Sequence, residues 1–383
     1  MEVIFWTSVF LIFFSYAIYP VLIKLAASIF GKSIPSYEPE KIEEWPEVAV
    51  VIAAYNEEKD IQARVENLLA QDYPADKINF FIGSDGSKDK TNEILSGFDE
   101  PRLKVQLFEV NRGKASVLND LMEMITQPIT IFSDANTHFE TDAIKRLVVH
   151  FQEDSVGAVC GELNLFGPGF NDNNKDSIYW HYEQFLKDQE GKLNALLGAN
   201  GAIYAIRSKL YKPIAANTIV DDFQIVMNVA KTDHRIIYDK SALAHEEIAP
   251  NLAEECKRRI RIGMGNYQAF TRLYWALNPL IGWRFFSYFS HKVLRWFTPH
   301  LMLLAFTSNL SLFGDLFYNA SLFLQVICYG LAFWGKHQSD QGKPLSSIQA
   351  LLTFFVSMNF SLLQGFKRFI FNNVQGTWQR TSR

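Results

Sequence analysis

The chain has 383 residues, with 37 basic side chains against 41 acidic ones and a formal net charge of -4 at pH 7. No global basic field is present, so no nucleic-acid partner is expected. The three cysteines (Cys160, Cys256, Cys328) lie far apart without metal-ligand spacing or a disulfide framework, which fits a reduced compartment.

Residues 1–30 read as a transmembrane anchor. From Val3 to Ile23 no residue is charged, and a helix needs about 20 apolar residues to cross a bilayer. Glu2 stands where a signal peptide would carry its basic region, so a retained anchor is expected. Residues 31–46 form a polar linker with Pro35, Pro39 and Pro46. Residues 47–250 then alternate between strand and helix patterns. Val48–Ala53 is a continuous apolar run suited to a strand buried on both faces. A helix to about Ala70 follows, with Pro74 beyond it, then a strand over Ile78–Gly83. A helix to about Ser96, a strand near Leu103–Phe108, a helix to about Ile125 and the Ile129 strand come next. Short connections between alternating elements predict a mostly parallel α/β sheet. Neither G-x-G-x-x-G nor G-x-x-x-x-G-K-[ST] follows any strand, which argues against a dinucleotide enzyme or a P-loop NTPase.

The next part is less regular. Val156–Asn164 looks like a strand. Asn171–Lys192 reads as a polar loop into a helix, and Gly198–Arg207 as a turn feeding a strand. The stretch Ile219-Val220-Asp221-Asp222-Phe223 opens a helix that runs to about Ala230. Residues 251–295 are expected to be interfacial: Leu252–Arg272 is helical and basic, and from Tyr274 to Trp296 aromatics alternate with Arg284, Lys292 and Arg295. Residues 296–383 form a C-terminal membrane region with three uncharged runs, Trp296–Gly314, Leu316–Gly335 and Pro344–Phe366. Asp315 alone separates the first two, which predicts a tight helical hairpin. Asn309, Asn319 and Asn359 within these runs should face other helices or a polar path. Lys24, Lys32 and the basic 257–295 region place the middle of the chain on the cytoplasmic side. Three full C-terminal spans would put the C-terminus outside, while Lys367, Arg368, Arg380 and Arg383 argue for inside. The number of true spans stays open at this point.

Several polar clusters fall at the ends of these elements. Asp134-Ala135-Asn136 ends the Ile129 strand and offers hard oxygen ligands suited to Mg²⁺ or Mn²⁺; the alternative is an ordinary turn. Asp85 lies in Ser84-Asp85-Gly86-Ser87, where it also suits a helix N-cap. Lys114 follows Gly113 at a helix start, a place that favours anions, and a solvated lysine is the alternative. Asp221 and Asp222 are adjacent carboxylates, able to raise a pKa by repulsion or to serve as an acidic cap. Arg258, Arg259 and Arg261 can clamp a diphosphate or lie against lipid headgroups.

In this order the motifs resemble family 2 glycosyltransferases of the nucleotide-diphospho-sugar (GT-A) fold. The likeness is strongest to the membrane-embedded branch that includes cellulose, hyaluronan and poly-N-acetylglucosamine synthases. It covers about Val48 to Gln268 and the flanking membrane segments. It implies an α/β GT-A domain, a mostly parallel sheet flanked by helices, with transmembrane helices at both ends. It also implies that Ala54, Tyr55 and Glu57 cup the base and ribose of a UDP-sugar, and that Asp85 accepts the uracil imide N–H. Lys114 would reach the nucleotide, together with Arg258, Arg259 and Arg261. Asp134 and Asn136 occupy the D-x-D metal position, with Asn136 in place of the second Asp. His245 is a candidate further ligand, although an isolated His is more often structural. Asp222 matches the general base, beside Asp221 in place of Glu. The acceptor would lie near Asn200, Gly201 and Asp221. Arg258 stands for Gln and Ile262 for Trp in the Q-x-x-R-W motif; that Trp is a stacking platform in processive members.

The resemblance therefore implies an inverting, metal-dependent glycosyltransferase of the cytoplasmic membrane, multi-pass, with its catalytic domain facing the cytoplasm. Its partners would be a UDP-sugar donor, a glycan or lipid-linked acceptor and membrane lipids, in cell-surface polysaccharide synthesis. The alternatives are a single-addition glycolipid-forming transferase and an inactive transferase-like assembly protein.

Overall fold

The computed structural model describes residues 1–32, 39, 42–166, 175–247 and 252–371. The expected linker residues 33–38, 40 and 41, the loop from Asn171 to 174, and Arg380 and Arg383 lie outside the described residues. The chain divides into two compact units, one built on Met1–Ser28 with Ala249–Asn373 and the other on Ile29–Ile248.

Two N-terminal helices, α1 (Glu2–Phe13) and α2 (Tyr19–Phe30), are joined by a π-helical turn, Phe14–Ile18. The α/β unit begins with β1 (Val48–Ala54), whose seven residues are all buried. Burial on both faces is the reason the run shows no polar alternation. There follow α3 (Ile61–Leu69), β2 (Ile78–Asp85), α4 (Thr91–Ser96), β3 (Leu103–Phe108), α5 (Lys114–Glu123) and β4 (Ile129–Asp134). The chain then forms β5 (His138–Phe139), α6 (Ala143–Val148), β6 (Val156–Phe166), α7 (Lys175–Lys192), β7 (Tyr204–Arg207), α8 (Asp221–Ala230) and β8 (Arg235–Glu247).

These strands make one eight-stranded sheet, ordered β3-β2-β1-β4-β7-β6-β8-β5. Strands β3, β2, β1 and β4 run parallel, as the α3, α4 and α5 crossovers require. Beyond β4 the sheet is mixed: β7 is antiparallel to β4 and β6, β8 is parallel to β6, and β5 pairs antiparallel with β8. The core runs through Val50, Ile52, Ile82, Ile131, Ile144, Val159 and Ile203, all 2 % exposed or less. Gly83 lets α5 lie close on β2, because a Cβ there would come within 2.4 Å of Val117 Cγ1. That contact fixes the height at which α5 begins, and hence the position of Lys114.

In the other unit, α9 (Leu252–Arg272) is a single helix. The stretch expected as an interfacial helix, Tyr274–Trp296, is instead broken. It holds 3-10 turns at Tyr274–Leu277 and Pro279–Ile281, α10 (Trp283–Ser287), a π-helical segment Tyr288–Val293 and the start of α11 (Leu294–Leu310). Asn278 accepts the Leu280 N–H, Pro279 fixes its own φ, and Gly282 is left-handed at φ 63°, so a continuous helix cannot pass.

Two further helices follow, α12 (Leu316–Asp340) and α13 (Ser347–Phe371). The hairpin between α11 and α12 forms as expected, with Asp315 accepting the Phe317 N–H at 2.9 Å. Asn309 is fully buried and meets Ser321 of α12 at 3.2 Å, whereas Asn359 bonds within its own helix, to Phe355 O. Among the described residues, three helices are long and apolar enough to cross a membrane: Glu2–Phe30, Leu316–Asp340 and Ser347–Phe371. The 17-residue α11 is shorter. Large apolar side chains such as Val3, Phe13, Leu316, Phe323 and Phe333 point outward from the long helices, as lipid-facing side chains do. Helix α9 lies against α13 nearly backbone to backbone: a Cβ on Gly365 would approach Ile260 O and Met264 N to 2.8 Å.

Candidate active site

Because β1, β2 and β4 are parallel and in register, their carboxyl ends open on one edge. Ala54 pairs with Ser84, and Ala53 with Asp134. This is where α/β sheets bind ligands. The segments following β1 and β2 are bolted together by reciprocal bonds. Asn56 N–H donates to Ser87 Oγ (3.0 Å), and Asn56 Oδ1 accepts the Lys88 N–H (2.8 Å). Glu57 N–H donates to Thr91 Oγ1 (2.8 Å) and Glu58 N–H to Asp89 (3.1 Å). Asn56 is left-handed at φ 56°, a conformation Asn tolerates. Ala54 is buried, and Tyr55 and Glu57 are half-buried beside this clamp.

Asp85 is fully buried. Its Oδ1 accepts the Arg112 N–H at 2.9 Å and its Oδ2 the Gly113 N–H at 2.8 Å. Gly113 sits at φ 94°, open to glycine and costly for other residues. Asp85 therefore holds the turn that delivers Lys114. Reading a base edge would need a lone pair besides these two.

The Lys114 ammonium is 2.7 Å from Asp134 Oδ1 and 3.1 Å from Asp221 Oδ2. Burial opposes its charge, but the carboxylates of Asp134, Asp221 and Asp222 outweigh that and raise its pKa. Across the loop, a Cβ on Gly201 would lie 3.2 Å from Asp222 Oδ2 and 3.7 Å from Asp134 Oδ2. Those two carboxylates thus face one glycine, and the lack of a side chain keeps the space between them open. Asp222 sits in the first turn of α8, with its Oδ1 accepting the Phe223 N–H. Burial and the neighbouring Asp221 push its pKa up to about 6, against the pull of Lys114. A carboxylate held there is suited to taking a proton near neutral pH.

Among the described residues, no group of three or more His, Cys, Asp or Glu is placed to hold a metal ion alone. A nucleotide site does not need one, since Mg²⁺ is commonly held by one or two carboxylates plus substrate phosphates. Asp134 and Asn136 supply hard oxygens of that kind, so the residues fit. Asn136 Nδ2 donates to Glu246 Oε1 at 3.4 Å, which leaves its Oδ1 as the donor atom for a cation. His245 is occupied differently: it pairs with His138 across β5 and β8, and its Nε2 is 2.8 Å from Glu140 Oε1.

Residues 49–212 match the family described as Glycosyl transferase family 2. This stretch is a family 2 glycosyltransferase domain. Two poly-beta-1,6-N-acetyl-D-glucosamine synthases are similar to the chain. The Staphylococcus epidermidis protein is 24 % identical over 60 % of this chain and 57 % of its own length. That of Staphylococcus aureus is 25 % identical over 60 % and 57 %. The beta-monoglucosyldiacylglycerol synthase of Synechocystis is 24 % identical over 80 % of this chain and 67 % of its own length. The chain thus matches somewhat more than half the length of the two polysaccharide synthases. Among solved structures, the mannosyltransferase PcManGT of Pyrobaculum calidifontis, in complex with GDP-Man and Mn²⁺, superposes with a TM-score of 0.74. That likeness covers 97 % of this chain and 99 % of the other at 18 % identity, and it shows the shared GT-A fold.

Within the transferase domain, the acceptor-side residues separate. Gly201 faces the carboxylates, but the Asn200 side chain is 8 % exposed and turned inward. Its Nδ2 donates to Gly161 O at 2.9 Å, its Oδ1 accepts from Lys187 Nζ, and its backbone N–H meets Cys160 Sγ. Asn200 braces the turn against β6, where the acceptor region was expected to use it. Arg258, Arg259 and Arg261 belong to α9 in the other unit, where Arg259 Nε donates to Glu255 at 2.6 Å.

Two residues of the domain escaped the sequence reading. Tyr204 stacks on Phe132 at 4.9 Å, fully buried, and burial together with Asp221 and Asp222 drives its pKa well up. Arg64 is completely buried behind Asp134, and burial lowers its pKa to about 9 while the Asp134 charge works in the other direction. Its signal was present: Ile61, Arg64, Val65 and Leu68 share the core face of α3, so an arginine occupies an apolar position.

Proposed function

We propose that this protein is an inverting, divalent-metal-dependent glycosyltransferase moving a sugar from a UDP-sugar to a polysaccharide or lipid-linked acceptor. The observation that carries the proposal is the convergence of Lys114 on Asp134 and Asp221, with Asp222 facing Asp134 over Gly201. Tyr55, with Ala54 and Glu57 beside it, offers a ring face for the base. Lys114 exchanges its carboxylate partners for the donor diphosphate. Asp134 and Asn136 would hold Mg²⁺ or Mn²⁺, which neutralises charge on the departing diphosphate. Asp222 takes the proton from the acceptor hydroxyl as its oxygen bonds to the anomeric carbon. The bond to the diphosphate breaks on the opposite side, so an α-linked donor yields a β-linked product and a nucleoside diphosphate.

The metal and donor class are supported by the GDP-Man and Mn²⁺ held by the structural relative, and the acceptor class by the names of the curated relatives. The three long helices support a multi-pass protein of the cell membrane. One precedes the transferase domain and two follow it, which supports a topology with that domain and the C-terminal end of α13 on one side of the membrane. Lys24, Lys32, Lys367 and Arg368 then share the cytoplasmic face.

Addition of a single sugar to a lipid is a second reading. Ile262 at the position of the family's stacking Trp favours it, as does the similarity to a glycolipid synthase over 80 % of this chain. The test is a panel of UDP-sugars and GDP-mannose incubated with membranes carrying the full chain, scored by nucleotide release with Mn²⁺ or EDTA. Release from one donor, lost with EDTA and in Asp222→Asn, is expected; wild-type turnover by Asp222→Asn overturns the assignment. Product sizing separates the acceptor readings, since a ladder means polymer and a single step means glycolipid.

A further inference from the structure

Arg64 is among the largest fully buried side chains of the protein, and among the described residues it forms no ion pair with any carboxylate. Its hydrogen-bond partners are neutral. Nη2 donates to Ser133 Oγ at 2.8 Å, and Nη1 donates to Asn67 Oδ1 at 2.7 Å. The guanidinium lies 4.3 Å over the Phe139 ring, and Nε has no hydrogen-bond partner. Dehydrating a cation for neutral partners is expensive, and an apolar side chain of similar length would fill the same space at lower cost. Packing alone does not account for an arginine here.

The bonds show what the arginine holds. Ser133 immediately precedes Asp134, and Phe139 closes the segment that carries Asp134, Asn136 and His138. Asn67 grips Phe139 from both sides, accepting its N–H at 2.9 Å and donating to its C=O at 2.8 Å. The Ser133 hydroxyl, having accepted from Arg64, donates to Ala202 O at 2.7 Å. Ala202 adjoins Gly201, the residue that both carboxylates face. One planar group therefore reaches both ends of the candidate metal-binding segment and, through one hydroxyl, the acceptor-side turn.

We infer that Arg64 is a positioning residue for sugar transfer, fixing the Asp134–His138 segment and the Gly201 turn relative to each other from behind. The inference rests on the transferase reading above. Of these two parts, the proposed donor binding involves only the first. Transfer depends on the distance between them, and errors of about 1 Å can cost on the order of 100-fold in rate.

The experiment uses the full-length protein in detergent, with Arg64→Met, Ser133→Ala and the double variant. Two readouts are taken: the UDP dissociation constant in Mn²⁺ by calorimetry, and kcat and donor KM for whichever donor the wild type uses. Both single variants should keep UDP affinity and KM within about threefold and lose at least about tenfold in kcat. The double variant should lose no more than the worse single one, because both changes cut the same connection. If Arg64→Met does not fold, Ser133→Ala carries the test, since it removes a single hydroxyl. A kcat within twofold of wild type in a folded variant, or losses that multiply in the double variant, overturns the inference. Absence of Mn²⁺-dependent UDP binding in the wild type would instead defeat the UDP-sugar part of the reading above, and the two failures are distinguishable.

Discussion

Lys114 Nζ lies 2.7 Å from Asp134 Oδ1, so the residue that opens α5 neutralises the residue that ends β4. The same ammonium reaches Asp221 at 3.1 Å. Three carboxylates and one lysine share a small space, and the lysine is the group that makes their proximity tolerable. Lys114→Met should weaken UDP binding by about tenfold or more, the value of a charge-assisted hydrogen bond. It should also lower stability by roughly 1–3 kcal/mol, because Asp134 and Asp221 would lose the ammonium they share and the repulsion among Asp134, Asp221 and Asp222 would grow. Calorimetric titration with UDP and thermal unfolding at pH 7 check the two effects separately. Unchanged stability would mean that the carboxylates are held apart by other means.

The pKa of Asp222, raised to about 6 by burial and by Asp221, gives a pH prediction with a definite sign. The proposed base works only as the carboxylate, so kcat/KM should rise with pH through about 6 and level off above it. Stability runs the other way. A carboxyl that binds its proton more tightly when folded contributes most below its ordinary pKa near 4, and that contribution is lost as pH rises through 6. Asp222→Asn should therefore be no less stable than wild type at pH 7 while losing about 10²- to 10⁴-fold in transfer. A pH–rate profile and thermal midpoints at pH 5 and 7 test both halves. An acid limb near pH 4 would remove Asp222 from the role.

How far the sequence carried the reading can be seen from particular residues. The strands read at Val48–Ala53, at Ile78–Gly83 and from Ile129 were legible because strands buried on both faces must be mostly apolar, and each led into a polar cluster at the sheet edge; the first two run on to Ala54 and Asp85. The opening of α8 was legible to within the stretch Ile219–Phe223, since acidic residues gather at helix N-termini, and the helix begins at Asp221. The antiparallel pairing of β7 with β4 and β6, the two-residue β5 and the long β8 were not foreseen. These depend on partners far along the chain, which local pattern does not encode. The inward bonds of Asn200 were not foreseen for the same reason: its partners, Gly161 and Lys187, come from separate elements. The break at Asn278-Pro279 was in plain view, but aromatic and basic alternation through Trp296 masked it.

Gly365 makes the membrane-helix unit testable by itself. A Cβ there would strike Ile260 O and Met264 N at 2.8 Å, both backbone atoms of α9, which cannot turn aside as a side chain would. Gly365→Leu should force α13 from α9 and cost about 1–3 kcal/mol. Gly330 on α12 meets nothing within 4 Å, so Gly330→Leu should be close to neutral. Thermal unfolding of both variants in the same detergent gives the comparison, and equal midpoints would show that the α9–α13 contact is loose.

Gly201→Ala is the smallest change that intrudes on the carboxylate pair. No positive φ is involved at Gly201, so the backbone accepts alanine and the fold should survive with a thermal midpoint within about 2 °C of wild type. The added methyl would stand 3.2 Å from Asp222 Oδ2 and 3.7 Å from Asp134 Oδ2. Asp222 would have to give way by a few tenths of an ångström, and the methyl would occupy space that the proposed transfer needs between base and donor. UDP affinity should remain within about threefold, because the methyl lies on the proposed acceptor side, while kcat should fall at least about tenfold. A folded Gly201→Ala variant with wild-type kcat would mean that the reacting groups meet elsewhere, and that the convergence of Asp134 and Asp222 on this glycine serves only to pack the loop.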